Sequence, residues 1–281
     1  MTPRAGSGPR VVACMPAWNA AGFIAPVLDS LAAQTYRNLQ ILISVDTCAD
    51  GTAELCEAFA AGHAHVRVLR QPARLGWIGN SNALLAAAEG DCAFFAFHDD
   101  PLRPTYVARL VEALETHPDA VLAFCDIESN IGPFSYRELD GVTDRYERAR
   151  RILLQLGPWW VPNRGLFRLP AARQLGGVQR HLAGEYGADW PWLLRLALLG
   201  MFVRVPQSLL HKTFRPESLS ATWRKGLWRR LALRLACLSV IRQAGFPWRQ
   251  TVELHRARLW LWLMEEWWQL ARRRGTSLTQ R

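Results

Sequence analysis

The sequence predicts an α/β fold with a mainly parallel central sheet, followed by a helical extension at the C-terminus. Two patterns support this prediction. Over roughly the first 200 residues, short apolar and β-branched runs alternate with helical spacing, as in successive βαβ units. From Arg224 onward the chain is strongly basic and rich in tryptophan. The chain has 281 residues and half are apolar, so one large domain with a sizeable core and an extension fits its length.

Five strands are predicted from short runs rich in apolar and β-branched residues. The first run ends at Pro16. The second, residues 39–45, is almost wholly apolar, as expected of a parallel strand that is buried on both faces. The fourth stops abruptly at His98. The predicted strands cover residues 10–15, 39–45, 66–70, 92–97 and 120–125.

Helical spacing of apolar residues predicts the elements between the strands. The second helix has a threonine or aspartate available as its cap, and the third is stopped by Gly90. Residues 129–144 are rich in glycine, proline and polar side chains and are expected to form a loop. The predicted helices cover residues 23–34, 52–61, 75–89, a segment from about 104, 146–156 and 190–199.

The net charge of +10 belongs to the extension. From Arg224 onward there are 13 Lys+Arg and 3 Asp+Glu, whereas the preceding 223 residues carry 21 of each and are neutral. Six of the 13 tryptophans also lie in this last part. The protein is therefore a neutral body with a cationic extension, which argues against general binding to nucleic acid.

The extension is predicted to form two or more helices with a break at residues 245–247. In the second helix the polar residues share one arc and the apolar residues lie opposite. The polar arc comprises Arg258, Glu265, Glu266, Gln269, Arg272 and Arg273. The apolar side comprises Leu259, Trp260, Leu263, Trp267 and Leu270. Such a helix suits the surface of an anionic membrane, and it suits equally a cap packed on the domain or a dimer interface.

Cysteine usage and the N-terminus bear on location. Six scattered cysteines without a CxxC pair predict buried free thiols in a reducing compartment. The N-terminus lacks the apolar region of a signal peptide, and no run reaches the roughly 18 apolar residues of a membrane-spanning helix. We therefore expect a cytoplasmic protein, either free or peripheral on the cytoplasmic face of the membrane.

Four polar clusters follow the carboxyl ends of predicted strands. They cover residues 16–19, 46–52, 75–82 and 98–100. In open α/β sheets, ligands bind outside the carboxyl ends of the strands. The convergence of these clusters predicts a ligand site at that edge.

The acidic pair in the last cluster suggests a metal site. Adjacent carboxylates such as Asp99 and Asp100 are costly to bury unless they face solvent or a cation, and oxygen ligands suit Mg²⁺ or Mn²⁺, which can hold a diphosphate. The alternative is a plain strand-to-loop turn. Asp189 suits the cap of the following helix and would act chemically only if the fold brought it opposite this pair. Lys212, after an apolar stretch, is expected at the surface.

Two further residues have both a ligand-binding and a structural interpretation. Asp46 ends a buried strand, where it could accept hydrogen bonds from a base or ribose or form a turn. Asn82 lies inside a predicted helix, where its amide is expected to tie loops together. The sequence has no GxGxxG after the first strand, and no GxxxxGK[ST], GxSxG or HExxH motif. With these motifs absent, the pair of carboxylates at a strand end favours a metal-assisted transfer from a nucleotide.

Taken in order, these segments resemble the inverting family 2 glycosyltransferases of the GT-A fold, over roughly residues 10–220. VVACMPAWN resembles that family's "VVIPxYN", VDTCADGT its "VDDGSTDGT", GWIGNSN its "GxxxAxN", FHDD its "DxDD", and GADWPWLLRLALLG its "EDxxLxxRxxxxG". Four positions depart from the pattern: Val45, Asn80, Phe97 and Ala188. His98 and Glu185 are the neighbours that could take over the roles of the last two.

The resemblance implies a GT-A-like, Rossmann-type sandwich over residues 10–222, after a flexible stretch 1–9 and before a helical extension 223–281. It implies that a UDP-sugar, or another nucleotide sugar, is bound by Pro16, Ala17, Asn19, Asp46, Asn82 and Asp99. Asp99 and Asp100 would hold Mg²⁺ or Mn²⁺. Asp189 would be the general base that deprotonates a hydroxyl of a carbohydrate or lipid-linked acceptor, in surface polysaccharide or glycolipid synthesis.

Two alternatives from other classes remain open. A nucleotidyltransferase would share the sheet and the carboxylates, but it should show a basic, glycine-rich loop after the first strand, and residues 16–22 lack basic residues. A non-catalytic membrane-associated scaffold of the same fold would have no need for Asp100 or Asp189.

Overall fold

The computed structural model describes residues 8–216, 218–223 and 226–278, without the side chains of residue 220 and residues 268–278. The predicted flexible residues 1–7 lie outside this part, whereas Gly8 and Pro9 accept hydrogen bonds from Asn38 and Tyr36. The strands are β1 (Val11–Ala17), β2 (Leu39–Val45), β3 (Val66–Arg70), β4 (Cys92–Phe95), β5 (Ala120–Ser129), β6 (Leu166–Arg168) and β7 (Met201–Lys212). The helices are α1 (Ala25–Ala32), α2 (Thr52–Ala61), α3 (Gly76–Ala87), α4 (Tyr106–Thr116), α5 (Arg145–Leu153), α6 (Leu169–Gln174), α7 (Asp189–Leu199), α8 (Leu219–Thr222), α9 (Leu227–Gln243) and α10 (Trp248–Leu278).

The strands form one seven-stranded sheet in the order β3-β2-β1-β4-β6-β5-β7. Every pair is parallel except the two that involve β6, which runs antiparallel to β4 and to β5. All of β1 is buried, because it lies inside the sheet with helices packed against it. The predicted α/β class, with a mainly parallel sheet and C-terminal helices, is confirmed.

The predicted elements match the structure best where the pattern is regular. β2, β3 and α2 have the predicted bounds, and β5 continues four residues beyond its predicted end at Cys125. Two strands, β6 and β7, and helix α6 were not predicted. β6 has only three residues, too few to show a period. β7 is interrupted by Pro206 and Gln207 beside a shift of register against β5, and such a bulge hides a strand in the sequence.

The unpredicted strands determine which residues meet at the site. Since β6 is antiparallel to β4, the chain that precedes β6 lies at the carboxyl end of β4. Just after β4, Leu102 forms a bridge with Leu210 near the end of β7, and the His211 amide donates to the carbonyl of Pro101 at 3.0 Å. The ends of β4 and β7 are thereby joined.

The C-terminal helices pack on the body. α9 lies against α7, and α10 lies against α5 and α9. The predicted break between them is present, with Gly245 in the left-handed region at a φ of 71°. Of the six cysteines, five are buried and Cys48 is half-buried, and all are free thiols as predicted. Among the described residues, no helix is long and apolar enough to cross a membrane.

Candidate active site

The carboxyl ends of β2, β1 and β4 lie side by side. Ala17, the last residue of β1, pairs with Val45, the last residue of β2, and on the other side Cys14 pairs with Phe95 of β4. The loops after these three strands therefore share one edge of the sheet, as the sequence predicts for a ligand site.

Pro16 and Ala17 end β1, and Asn19 is exposed in the loop that follows, at a left-handed φ of 48°. The Pro16 carbonyl accepts a hydrogen bond from Nδ1 of His98 at 2.8 Å. This bond ties the first loop to the acidic pair after β4. His98 thus has one ring nitrogen committed to the backbone of the first loop.

Asp46 is buried and holds the N-terminus of α3. Its carboxylate accepts hydrogen bonds from the amides of Leu75 at 3.1 Å and Gly76 at 2.9 Å. Burial raises the pKa of Asp46, and these two bonds and the charge of Arg74 oppose the increase. In the structure the carboxylate forms no local turn but joins the end of β2 to the start of α3, and it thereby fixes a loop that borders the site.

An open cavity of about 350 Å³ lies beside this turn. Its lining residues are Arg74, Leu75, Gly76, Arg180, Gly184 and Glu185. The guanidinium of Arg74 also lies 3.5 Å from the ring centroid of Trp18, in the loop after β1. The cavity therefore continues the edge formed by the first two loops.

The carboxylate of Glu185 lies at the N-terminus of α3, while its backbone carbonyl accepts from the Ala188 amide at 3.3 Å. The carboxylate accepts from the Ile78 amide at 3.3 Å and from Arg180 at 3.1 Å. Gly76 has a φ of 76°, and a side chain there would collide with the Glu185 carboxylate. Glu185 is thus part of the cavity wall.

The two asparagines of α3 have different partners. The Asn82 amide donates to the Val178 carbonyl at 2.8 Å and accepts from the Val178 amide at 2.9 Å, so it ties α3 to the loop after α6 as expected. Asn80 donates to the Ser44 carbonyl at 3.0 Å, and its Oδ1 is buried with no hydrogen-bond partner among the described residues. Asn80 thus holds β2 beside α3.

The loop after β2 is fixed through Asp50 and Thr52. The Asp50 carboxylate accepts from the Ala21 amide at 3.0 Å and from the Thr52 hydroxyl at 2.7 Å, and the hydroxyl accepts from the Ala20 amide at 2.8 Å. Burial raises the pKa of Asp50, but these hydrogen bonds outweigh it and lower the value to about 2. The loops after β1 and β2 are thereby joined.

The acidic pair after β4 lies among three cations from later parts of the chain. Asp100 accepts from Nε of Arg164 at 2.9 Å and lies 3.7 Å from Nζ of Lys212, and Asp99 accepts from Arg215 at 3.1 Å. We call these five residues the strand-end charge cluster. Burial raises the pKa of Asp99, but the charges of His98 and Lys212 and the hydrogen bond from Arg215 hold the value below its ordinary range.

The topology assembles this cluster. Arg164 ends a short 3₁₀ helix (Val161–Arg164) directly before the antiparallel β6, so it lies at the carboxyl end of β4. Lys212 ends β7, which is joined to the chain just after Asp100. None of the three cations was predicted as a site residue. The expectation of a surface position for Lys212 was wrong, since only 15% of its side chain is exposed.

Aromatic rings support the cations. Arg164 lies 4.7 Å from the ring centroid of Phe97, and Arg215 lies 3.5 Å from that of Phe23. A cation placed above the face of an aromatic ring is attracted to it, so these contacts stabilise the two guanidinium groups. Phe97, which departs from the family's first aspartate, thus supports an arginine.

Asp189 is the first residue of α7, and Ala188 is its cap. Burial raises the pKa of the Asp189 carboxyl, while the nearby charges of Arg164 and Lys212 and two backbone amides lower it in part. The two cations whose charges act on Asp189, Arg164 and Lys212, are the same two that pair with Asp100. Asp189 therefore lies near the cations of the strand-end charge cluster.

The donor set does not fit a divalent cation. Both aspartates are paired with cations, and Phe97 supplies no ligand. The buried Asp100 Oδ1 lacks a hydrogen bond, but the group it faces is the Lys212 ammonium. Over the described ranges, no three His, Cys, Asp or Glu side chains are grouped so that they could hold a metal.

The sequence pattern of glycosyl transferase family 2 matches residues 12–168, more than half of the chain. The chain belongs to this family. It is 31% identical over 150 residues to the uncharacterized glycosyltransferase YibD of Escherichia coli (strain K12), covering 52% of this chain and 41% of YibD. It is 25% identical over 128 residues to glycosyltransferase GlyG of Streptococcus pneumoniae, covering 45% of this chain and 40% of GlyG. The chain thus spans less than half the length of these relatives.

Solved structures show the same fold. S. aureus TarS 1-349 in complex with UDP-GlcNAc superposes with a TM-score of 0.71 at 15% identity, over 87% of this chain and 70% of that one. The mannosyltransferase PcManGT from Pyrobaculum calidifontis, in complex with GDP-Man and Mn²⁺, superposes with a TM-score of 0.62 at 18% identity, over 92% and 72%. The predicted GT-A fold and the resemblance to family 2 are confirmed.

Proposed function

We propose that the chain transfers a sugar from a nucleotide-diphosphate sugar to an acceptor hydroxyl, with inversion at the anomeric carbon. The observation that carries the proposal is the position of Asp189, a carboxyl group with a raised pKa near Arg164 and Lys212, the two cations that pair with Asp100. The nucleotide sugars bound by structural neighbours support a donor of this class. A nucleotidyltransferase is disfavoured by the family assignment.

The donor would lie across the loops after β2, β1 and β4. Pro16, Ala17 and Asn19 would border its nucleobase, which extends towards the cavity beside Arg74. Asp99, which the resemblance implies at the ribose or the metal, would lie beside the diphosphate with its carboxylate paired to Arg215. Asp46 and Asn82 would act by holding the walls of this site, since each is bonded to backbone amides.

Asp189 would act as general base. Its carboxylate takes the proton of the acceptor hydroxyl while the hydroxyl oxygen attacks the anomeric carbon. The bond from that carbon to the diphosphate breaks, and the nucleoside diphosphate leaves with the electron pair. A pKa above the ordinary carboxyl range suits this role, because it makes the carboxylate a stronger proton acceptor.

The resemblance implies Mg²⁺ or Mn²⁺, and one structural neighbour holds Mn²⁺. Such a cation would neutralise the leaving diphosphate. Because Asp99 and Asp100 are already paired with cations, the steps proposed for this chain use its own side chains.

The test is turnover with a panel of donors, including UDP-GlcNAc and GDP-mannose, and a panel of carbohydrate and lipid-linked acceptors. Asp189→Asn should lower turnover about 10²- to 10⁴-fold while UDP binding is retained. Asp144→Asn is the matched control, since Asp144 caps α5 on the surface. Full turnover by the Asp189 variant would refute the base. A chain that binds no nucleoside diphosphate would instead be the scaffold.

We propose further that α10 docks on the cytoplasmic surface of an anionic membrane, where surface polysaccharide or glycolipid is made. Its charged side faces the body, since Arg258 is buried over Trp190 and paired with Glu265. The predicted residues Gln269, Leu270, Arg272 and Arg273 lie outside the described side chains.

The apolar side of α10 faces outward. It carries Trp248, Val252, Leu259, Trp260, Leu263, Met264 and Trp267, and the tryptophans are 58–71% exposed. The exposed Arg249 and Arg256 border this face. An exposed apolar patch with tryptophans and arginines suits the headgroup region of anionic lipid.

Flotation with vesicles tests this docking. Full-length protein should float with vesicles that contain phosphatidylglycerol, and less with phosphatidylcholine alone. Trp260→Ser with Leu263→Ser should abolish flotation. Leu55→Ser, an exposed apolar residue on α2, should leave it unchanged. Equal flotation of the double variant and the control would reject the membrane as the partner of this face.

A further inference from the structure

We propose that the strand-end charge cluster is a metal-independent binding site for the donor diphosphate, in which Arg164, Lys212 and Arg215 supply the positive charge. Asp99 and Asp100 would hold these cations in place and would not be metal ligands. The inference rests on the function proposed above and specifies how the leaving group is held.

The cluster has more cations than anions. Its three basic side chains face two carboxylates, and the Asp189 carboxyl group lies outside the cluster, near Arg164 and Lys212. Arg164 and Lys212 are both largely buried and share the single carboxylate of Asp100. A bound anion would offset the positive charge that this one carboxylate does not balance, so the cluster favours an anionic ligand.

The cations also have hydrogen-bonding capacity to spare. Arg164 donates a hydrogen bond from Nε to Asp100, and its two terminal nitrogens donate to no acceptor among the described residues. The Lys212 ammonium lies 3.7 Å from Asp100, too far for a hydrogen bond. Guanidinium groups match phosphate oxygens in a bidentate geometry, and an ammonium binds them as a point charge. These free donors are the groups that a diphosphate requires.

The rings beneath the cations fix their positions before a ligand arrives. Phe97 and Trp160 lie against Arg164, Phe214 lies near Lys212, and Phe23 supports Arg215. A site whose side chains are already in place loses less entropy on binding. Because Arg164 and Lys212 also neighbour Asp189, a diphosphate bound there would place the anomeric carbon near the base.

The two roles of Asp99 predict opposite effects of one substitution. If Asp99 is a metal ligand, Asp99→Asn removes a ligand and weakens nucleotide binding. If it is a counter-charge, Asp99→Asn frees Arg215 and removes a negative charge beside the phosphates. UDP would then bind as tightly as in the unmodified chain, or more tightly.

The test is calorimetric titration of the full-length protein with UDP and with GDP, in excess EDTA and in Mn²⁺. We expect similar affinity in both conditions. Arg164→Gln and Arg215→Gln should each weaken binding about 10- to 100-fold, the effect of losing a charged hydrogen bond. Arg230→Gln is the matched control, a half-buried arginine paired with Glu266 in the C-terminal helices, and should bind normally. Thermal melting would confirm that each variant is folded.

The outcomes separate this inference from the proposed function. Binding that requires Mn²⁺ and is lost in Asp99→Asn would overturn the metal-independent site and leave the glycosyltransferase intact. Normal binding by Arg164→Gln and Arg215→Gln would also overturn it. Absence of UDP and GDP binding in both conditions would overturn the inference and the proposed function together.

Discussion

Two clusters in this molecule have the same ratio of positive to negative side chains, but opposite charges are buried at their centres. The strand-end charge cluster joins three cations to two carboxylates, and so does a cluster between α9 and α10 that consists of Arg230, Arg234, Arg258, Glu265 and Glu266. We call the second the helical charge cluster. The charge ratio alone does not distinguish a binding site from a structural contact.

The two clusters differ in which charged side chains are buried deepest and which are most exposed. In the strand-end cluster the deepest group is a carboxylate, Asp100, with 1% of its side chain exposed, and Arg215 is the outermost at 24%. In the helical cluster the deepest group is Arg258 at 2%, and Glu265 is the outermost at 37%. An anion that approaches the first cluster meets Arg215 first, with Asp99 next at 17% exposed, whereas one that approaches the second meets carboxylates. This order suits the first cluster to the phosphate binding proposed for it, and the second cluster fastens α10 to α9.

The largest expected effect contrasts the two clusters in stability. Glu265→Gln should lower the free energy of unfolding by about 3–5 kcal/mol, since it removes the carboxylate that is hydrogen-bonded to the buried Arg234 and Arg258. Asp99→Asn should cost much less, because Arg215 is partly exposed. Urea denaturation of both variants measures this difference. Equal losses would mean that the strand-end cluster is also a structural contact.

The second prediction concerns the pH dependence of kcat. In the proposed mechanism Asp189 acts as the carboxylate, and burial raises its pKa, so activity should be lost as the pH falls through a value above the ordinary carboxyl range. Arg164 lowers this pKa, so Arg164→Gln should move the acid limb of kcat upward by about one unit at saturating donor. Arg230→Gln, in the helical cluster, should leave the limb in place. An acid limb at the same pH in Arg164→Gln as in the unmodified chain would mean that the charge of Arg164 does not act on the catalytic group.

The sequence was sufficient for the part of the site formed by β1, β2 and β4. There, each polar cluster follows its strand directly, so the parallel order places Pro16, Asp46 and Asp99 at one edge. Arg164 and Lys212 could not be located in the same way. They reach that edge because β6 is antiparallel and β7 is bulged, and neither strand shows a clear period in the sequence. The sequence shows that Phe97 replaces the first aspartate of the family's motif, but it does not show that the ring contacts Arg164.

A smaller effect should follow from removing the aromatic support of Arg164. Phe97→Leu keeps an apolar side chain but removes the ring face 4.7 Å from the guanidinium. UDP affinity should fall about two- to fivefold, as the loss of about 0.5–1 kcal/mol predicts. Calorimetry in EDTA measures it, with Phe59→Leu on α2 as the control. Unchanged affinity would mean that Phe97 only fills space.

The smallest effect concerns Asp50, a carboxylate held by hydrogen bonds and not by cations. Its pKa of about 2 lies below the unfolded value, so its contribution to stability is present above pH 4 or so and is lost as the pH falls towards 2. Asp50→Asn should therefore melt at a lower temperature than the unmodified chain at neutral pH. The difference should disappear near pH 2. A difference that is constant with pH would contradict the lowered pKa.

The measurement that tests the central claim most directly is the UDP dissociation constant of the full-length chain in excess EDTA, for the unmodified protein and for Arg164→Gln. Binding without a divalent cation that weakens about 10- to 100-fold in the variant is the predicted result. Binding that appears only after Mn²⁺ is added, and that is equal in the two proteins, would contradict it.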